Sequence, residues 1–328
     1  MTKVSIVLPT YNAENFVDRC IQSIKGQKFE DYEVIFVNDG STDNTLEKLE
    51  KLKKEDNRVK IITTINQGTG KARETGLANA KGKYIFFCDP DDEITADLLS
   101  DNIPLLDKSG AEMCIFSWIS KNINKTTDYA ISDEPVFISN NKDFAFKFDY
   151  LFSKGNMFSI WNKIYRRDVL LPFLGEFPSM SIGEDFLLNL RIYKNIKKVS
   201  INLGKSYYIY HSNTGSADKS YKATKGDMLE AHFIALETLV KYFREKYQDN
   251  SIGSYALIIF AYNNFFSEIK NIAMLKENQQ MKVDFLYTQR LNKYSNYGKM
   301  KKKGSLLKWF LIRFNLQRVV LFFFEKGI

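Results

Sequence analysis

Cysteine and histidine are scarce, with three of the first and two of the second in 328 residues. Cys20, Cys88 and Cys114 each fall inside an apolar segment, without the spacing of a zinc site or a disulfide framework. We read them as core thiols in a reducing compartment. Long apolar runs are missing too. No stretch of about 18 uncharged apolar residues occurs, which excludes an ordinary membrane-spanning helix. The opening "MTKVSIVLPTYN" reads as a short strand and a turn rather than a signal peptide, so a cytoplasmic protein is expected. No GxxxxGKS or GxxxxGKT sequence is present, which excludes a P-loop.

What is present is a chain with 44% apolar residues, enough for a sizeable core and for one large domain or two ordinary ones. Its net charge of +8 is concentrated late in the chain. The first hundred residues alternate strand and helix. Strands are expected at Val4 to Leu8, Glu33 to Val37, Val59 to Ile62 and Tyr84 to Cys88. Helices are expected at Asn15 to Lys25, Thr45 to Lys54 and Lys71 to Ala80, with Phe16, Cys20, Ile21 and Ile24 on one face of the first. Alternation with near-continuous apolar strands predicts an α/β fold, a Rossmann-like, mostly parallel sheet with helices on both faces.

Three polar clusters, "PTYN", "NDGSTD" and "DPDD", then follow the carboxyl ends of predicted strands, the edge where open α/β sheets bind ligands. Taken alone, "NDGSTD" reads equally as a helix N-cap, and a solvated turn is the lesser alternative for "DPDD". Their common address favours a ligand site. The acidic group is the sharper signal, because Asp89, Asp91, Asp92 and Glu93 crowd into five positions directly after an apolar strand. Like charges so placed cost free energy unless partnered. A hard divalent cation, Mg2+ or Mn2+, suits clustered carboxylates and keeps positions open for phosphate oxygens. The ligand so implied is a nucleoside diphosphate. "GTGKARETG" has some of the glycine spacing of a dinucleotide fingerprint but follows the third strand instead of the first.

The segments "VSIVLPTYNAENFVDRCIQSI", "YEVIFVNDGSTDNT", "NQGTGKARETGLANAKGKYIFFCDPDD" and "GEDFLLNLRIY" resemble the family 2 glycosyltransferases of bacterial cell-surface glycan synthesis. The likeness runs from Lys3 to His211, about two thirds of the chain. It implies the GT-A fold, inversion at the sugar, metal dependence and a nucleotide-activated donor, most often a UDP-sugar. Position by position it implies that Pro9, Thr10 and Tyr11 line the base and ribose pocket and that Asp39 accepts from the uracil edge. Asn66 and Arg73 would lie near nucleotide and sugar. Asp89 and Asp91 would end a DxD motif, Asp89 toward the ribose and Asp91 on the metal, and Asp185 would be the general base. Pro90 stands where a small residue is commoner and stiffens that nucleotide-binding loop. Glu74 stands where Asn is often found. No QxxRW occurs, which argues against a processive polymerase and for transfer of one sugar per encounter.

Sugar transfer asks for two things that these residues supply. Charge growing on the departing diphosphate is offset by a cation held at Asp91. The attacking hydroxyl loses its proton to a positioned carboxylate, typically for about 10²–10⁴-fold in rate. Glu184 and Asp185 follow Gly183 at the start of a predicted helix, Phe186 to Tyr193, where acidic residues are also favoured simply as caps. Glu184 is the competing candidate for the base, but adjacent helical residues point apart, so one of the pair is expected to serve the scaffold, and Glu184 is placed on the acceptor side. Upstream, Trp161 offers a face for stacking on an acceptor sugar and Asn162 and Lys163 offer donors; a core tryptophan is the plain alternative. His211, after a tyrosine-rich strand, could complete the metal shell or contact the diphosphate, with an ordinary surface or core histidine as the alternative. His232, in a predicted helix, has no assigned role.

The expected organisation is a catalytic domain over residues 1–220 and a helical region over 221–328. The latter ends in "GKMKKKGSLLKWFLIRFNLQRVVLFFFEK", which reads as a basic, aromatic helix lying on anionic lipid, or else docked on protein. The sequence thus points to transfer of a hexose or N-acetylhexosamine from a UDP-sugar to a saccharide hydroxyl, lipid-linked or not. The setting would be capsule, exopolysaccharide, teichoic acid or glycoprotein glycan synthesis, on the inner face of the cell membrane. Homo-oligomers through the C-terminal helices are one expectation; nucleic acid is not an expected partner. A nucleotidyltransferase would share the carboxylate and metal logic but usually has a basic, Gly-rich N-terminal loop that "LPTYNAE" lacks. A nucleotide-binding scaffold without catalysis would not need both "DPDD" and "GED".

Overall fold

The computed structural model describes residues 2–131, 134–177, 183–212, 234–250 and 252. The chain divides into two compact units, residues 1–144 with 158–220 and residues 145–157 with 221–328. The sequence suggested a single cut after residue 220; the short segment 145–157 also goes with the second unit.

The first unit opens with β1 (Val4–Thr10), α1 (Val17–Lys25), β2 (Tyr32–Asp39), α2 (Thr45–Glu55), β3 (Val59–Thr64), α3 (Thr69–Asn79) and β4 (Tyr84–Phe87). It continues through β5 (Glu93–Ile94), α4 (Leu98–Ser109), β6 (Met113–Asn122), β7 (Lys125–Asp128) and β8 (Val136–Ile138). The helix α5 (Asn141–Ser153) follows, and then β9 (Lys163–Arg166), α6 (Arg167–Leu170), α7 (Glu184–Asn195) and β10 (Val199–His211). In the second unit Leu236–Val240 form a π-helical turn that leads into α8 (Lys241–Tyr247).

One sheet runs through the first unit in the order β3-β2-β1-β4-β9-β6-β10-β5, with β7 on β6 and β8 on β10. Six of these eight strands run the same way; β9 is antiparallel to both its neighbours, β4 and β6, and β5 is antiparallel to β10. Every residue of β1 and β2 is buried, as expected of strands covered on both faces. The pleat sends Val4, Ile6 and Leu8 into a cluster with Val17, Cys20, Ile21 and Ile24 of α1. On the opposite face α3 comes so close that a Cβ at Gly76 would lie 2.2 Å from Val7 Cγ1. That approach brings the first turns of α3 over the carboxyl ends of β1, β2 and β4.

Candidate active site

The acidic loop after β4 sends three of its four carboxylates, Asp89, Asp92 and Glu93, to partners on α3, α1 and β10. Asp89 accepts from Arg73 Nη2 at 2.9 Å, and its own N–H donates to the Tyr208 hydroxyl at 3.2 Å. Asp92 turns inward and is wholly buried, accepting from the Tyr208 hydroxyl and from the His211 N–H, each at 2.7 Å. Burial, reinforced by Asp91 and Asp89, drives its pKa well above the usual carboxylate range. Glu93 takes His211 Nε2 at 2.6 Å and lies 3.6 Å from Arg19 Nε. Burial lowers the His211 pKa, and Glu93 opposes that shift. Arg19 also donates through Nη2 to the Asp91 carbonyl, so α1 fixes the loop from below.

Arg73 in α3 is the hub. It is buried, and its Nη1 donates to Glu184 Oε1 at 2.9 Å and to Asp185 Oδ1 at 2.5 Å while Nη2 holds Asp89. Burial alone would depress its pKa, but the three carboxylates prevail and raise it. Glu184 and Asp185 open α7 after Gly183, whose φ of +83° is the left-handed conformation that glycine adopts without strain. Sequence reasoning had these neighbours pointing apart; instead one guanidinium nitrogen gathers both. Asp185 Oδ2 accepts from the Ile160 N–H at 3.1 Å. Burial pushes Glu184 up to about 7, with Arg73 opposing, and burial also raises Asp89.

The other expected residues lie at the same sheet edge with different duties. Pro9 and Thr10 are buried at the end of β1, while Tyr11 is 49% exposed. Asp39 is buried and already occupied, accepting from Thr64 Oγ1 at 3.0 Å, Gln67 N–H at 3.0 Å and Gly68 N–H at 2.8 Å. Its carboxylate therefore latches the β3–α3 loop, which leaves at most one acceptor site for a base edge. Asn66 sits exposed in that loop. Glu74, the departure from the family pattern, ties α3 to the Gly175 N–H and to Lys71.

Trp161, Asn162 and Lys163 are enclosed, which corrects the expectation that they present a face and donors to an acceptor. Trp161 is 8% exposed and stacks on Tyr208 with ring centroids 4.5 Å apart. Asn162 and Lys163 have no solvent exposure; Lys163 Nζ donates to Ser159 O at 2.5 Å and Asn162 Oδ1 at 2.7 Å. Burial lowers the Lys163 pKa well below the ordinary lysine range. Arg19 and Tyr208 were missed: an arginine on a predicted helix and a tyrosine in a predicted strand carry no local signal of a distant loop. His232 and the basic aromatic tail lie outside the described residues.

Among the described residues no three acidic, histidine or cysteine side chains converge in a metal-binding arrangement. No helix among them is long and apolar enough to cross a membrane.

The family model "Glycosyl transferase family 2" matches residues 5–171. The chain belongs to glycosyl transferase family 2. Its similarity to Glycosyltransferase GlyA of Streptococcus pneumoniae is 30% identity over 222 residues, 66% of this chain but 32% of GlyA, so the chain spans about a third of that relative's length. It is 27% identical over 250 residues to the GalNAc(5)-diNAcBac-PP-undecaprenol beta-1,3-glucosyltransferase of Campylobacter jejuni, covering 68% of this chain and 79% of that protein. Among solved structures it resembles S. aureus TarS 1-349 in complex with UDP-GlcNAc. The TM-score is 0.72 at 22% identity, over 99% of this chain and 92% of that one. The shared architecture is the GT-A fold, as the family's motifs implied. These motifs are therefore read on the family's own scaffold: the acidic loop after β4 and the acid pair opening α7 face each other across Arg73.

Proposed function

We propose that the chain is an inverting glycosyltransferase of cell-surface glycan synthesis. It moves a hexose or N-acetylhexosamine from a UDP-sugar to a saccharide hydroxyl by single displacement, with Asp185 as proton acceptor. The observation that carries this is Arg73 holding Asp89 of the acidic loop and the Glu184–Asp185 pair on one guanidinium. A donor-side acid and an acceptor-side acid thereby sit within one side chain's reach, as attack from the face opposite a leaving diphosphate requires. The bound UDP-GlcNAc in the TarS complex and the undecaprenol-linked acceptor in the Campylobacter relative's name support a UDP donor and a lipid-linked acceptor. The basic tail supports a site of action at the inner membrane surface.

Mn2+ or Mg2+ fits the donor chemistry of the acidic loop. Asp91 supplies a carboxylate, and His211 stands on the adjacent strand end with Glu93 on its ring nitrogen. Asp91 and His211 would hold such a cation and would leave it open to phosphate oxygens. When bound, such a cation offsets negative charge on the departing diphosphate.

Asp185 has one oxygen on Arg73 and the other on the Ile160 N–H, so its orientation is fixed toward the site rather than averaged over rotamers. A second reading makes Glu184 the proton acceptor, because its pKa near 7 matches a base working at neutral pH. Isothermal titration with UDP and Mn2+, together with transfer and hydrolysis assays on a nucleotide-sugar panel, tests both. Asp185→Asn should keep UDP affinity and lose transfer by at least about a hundredfold. Transfer within a few fold of wild type, with Glu184→Gln inactive instead, moves the role to Glu184. No binding or turnover of any nucleotide sugar rejects the proposal.

A further inference from the structure

The acid pair is joined to a row of aromatic rings that no step above uses. Ile160, whose N–H fixes Asp185, precedes Trp161. Trp161 stacks on Tyr208 at 4.5 Å and 14°, and on Tyr210 at 5.9 Å and 8°. Trp118 meets Trp161 edge-on at 5.2 Å, and Tyr129 lies flat on Trp118 at 4.0 Å and 14°. At one end the row is bolted to the acidic loop, through the Tyr208 hydroxyl on Asp92 and the Asp89 N–H. At the other end it comes to the surface, where Tyr129 is 37% exposed.

Trp118 and Tyr210 pack against the core, which leaves Tyr129 as the ring at the outer end of the row. Tyr129 is held in place by two backbone contacts, its N–H on the Trp118 carbonyl at 2.9 Å and its carbonyl on Ser117 Oγ at 2.8 Å. A rigidly positioned, partly exposed ring is the kind of group that binds without a large ordering cost. The Trp118 indole Nε1 is buried and has no hydrogen-bond partner, an unusual state for a group that donates wherever it can. The partly exposed Tyr129 ring at the end of this row is a rigid aromatic face, and it suits a ligand that is apolar on its face and hydroxylated at its rim. A pyranose ring is such a ligand: its axial C–H groups lie on the electron-rich face of an aromatic ring while its hydroxyls point outward.

We propose that Tyr129, Trp118 and Tyr210 form the acceptor subsite, a platform on which a pyranose ring of the acceptor saccharide stacks one or more rings away from the hydroxyl delivered to the acid pair. This rests on the glycosyltransferase reading above and replaces Trp161, which is enclosed, as the sugar-facing residue. Trp161 becomes a positioning residue, linking the platform to Asp185 through Ile160.

Saturation-transfer NMR on the full chain, with UDP and Mn2+ present, tests it. The probes are gluco-, galacto-, rhamno- and N-acetylglucosamine oligosaccharides and, as a polyol control, ribitol 5-phosphate. At least one pyranose oligosaccharide should bind, with saturation strongest on the C–H protons of one ring face. Tyr129→Ala should weaken that binding by about tenfold, and Tyr129→Leu, which keeps apolar bulk but no ring, by nearly as much. Trp118→Phe should retain part of the affinity. Hydrolysis of the donor sugar without acceptor should fall far less than saccharide binding in the Tyr129 variants, because among the described residues Tyr129 contacts Trp118 and Ser117 and none of the donor-side groups. Three results overturn the platform: no pyranose oligosaccharide binds, only the polyol phosphate binds, or Tyr129→Ala binds saccharide like wild type while losing thermal stability. Failure of the glycosyltransferase reading looks different, since then neither wild type nor variant binds or hydrolyses a nucleotide sugar.

Discussion

At the scale of single residues, Glu184 carries a consequence that can be measured without any substrate. Its pKa rises from 4.5 to about 7, chiefly by burial. The native state therefore holds a proton that the unfolded chain releases between those values. Stability from this group is full below pH 4.5 and is lost as pH rises through about 7. Glu184→Gln removes the loss. At pH 8 the variant should exceed wild type by up to roughly 3 kcal/mol, while at pH 4.5 the two should nearly coincide. Urea unfolding midpoints at the two pH values check this, and parallel pH slopes in both proteins would refute it. The acid pair itself was legible in "GED", because helix starts and acidic doublets are local patterns. Arg73 as its common partner was not, since the contact spans more than a hundred positions in sequence. Asp39 shows the opposite failure: "NDG" marked a polar strand end correctly, but the number of backbone donors waiting there was invisible.

At the scale of elements, the first half of the sheet was readable to within a few residues, and for a physical reason. Buried parallel strands are nearly continuous apolar runs, and the helices between them have a single apolar stripe. Expected strand Val59 to Ile62 became Val59–Thr64, and expected helix Lys71 to Ala80 became Thr69–Asn79. The second half was not readable. The four-residue strand β9 is inserted antiparallel between β4 and β6, and β5 has two residues, both too short for a periodic signal. The closeness of α3 and β1 offers a test of packing at this scale. Gly76→Ala places a methyl 2.2 Å from Val7 Cγ1, so it should cost about 1–3 kcal/mol by overpacking. Val7→Ala makes room for it. The double variant should then be less destabilised than the sum of the singles by more than about 0.5 kcal/mol. Strict additivity in denaturant titrations would mean that the helix shifts instead of the side chain. Because Arg73 rides on α3, Gly76→Ala should also weaken donor hydrolysis even when folded, and Val7→Ala should restore part of it.

At the scale of the whole chain, charge and chemistry are segregated along the sequence. Every group placed in the site, from Pro9 to His211, precedes Ser212, whereas the lysine run and the aromatic tail lie after Asn296. That separation lets location be tested independently of catalysis. Removing residues 305–328 should leave hydrolysis of a soluble UDP-sugar within a few fold of the full chain. It should also abolish most flotation with vesicles containing anionic lipid, and with it activity on a lipid-linked acceptor. Lys301, Lys302 and Lys303 remain in the truncated chain, so a weak residual attraction should persist and disappear at high salt, where exposed charges are screened within about 3 Å. The full chain should keep a salt-resistant fraction, because Trp309, Phe310, Phe314 and the final phenylalanines bind by burial of apolar surface rather than by charge. Equal flotation of the two proteins would refute the membrane anchor, and a truncated protein that runs as a smaller assembly on gel filtration would assign the tail to subunit contacts.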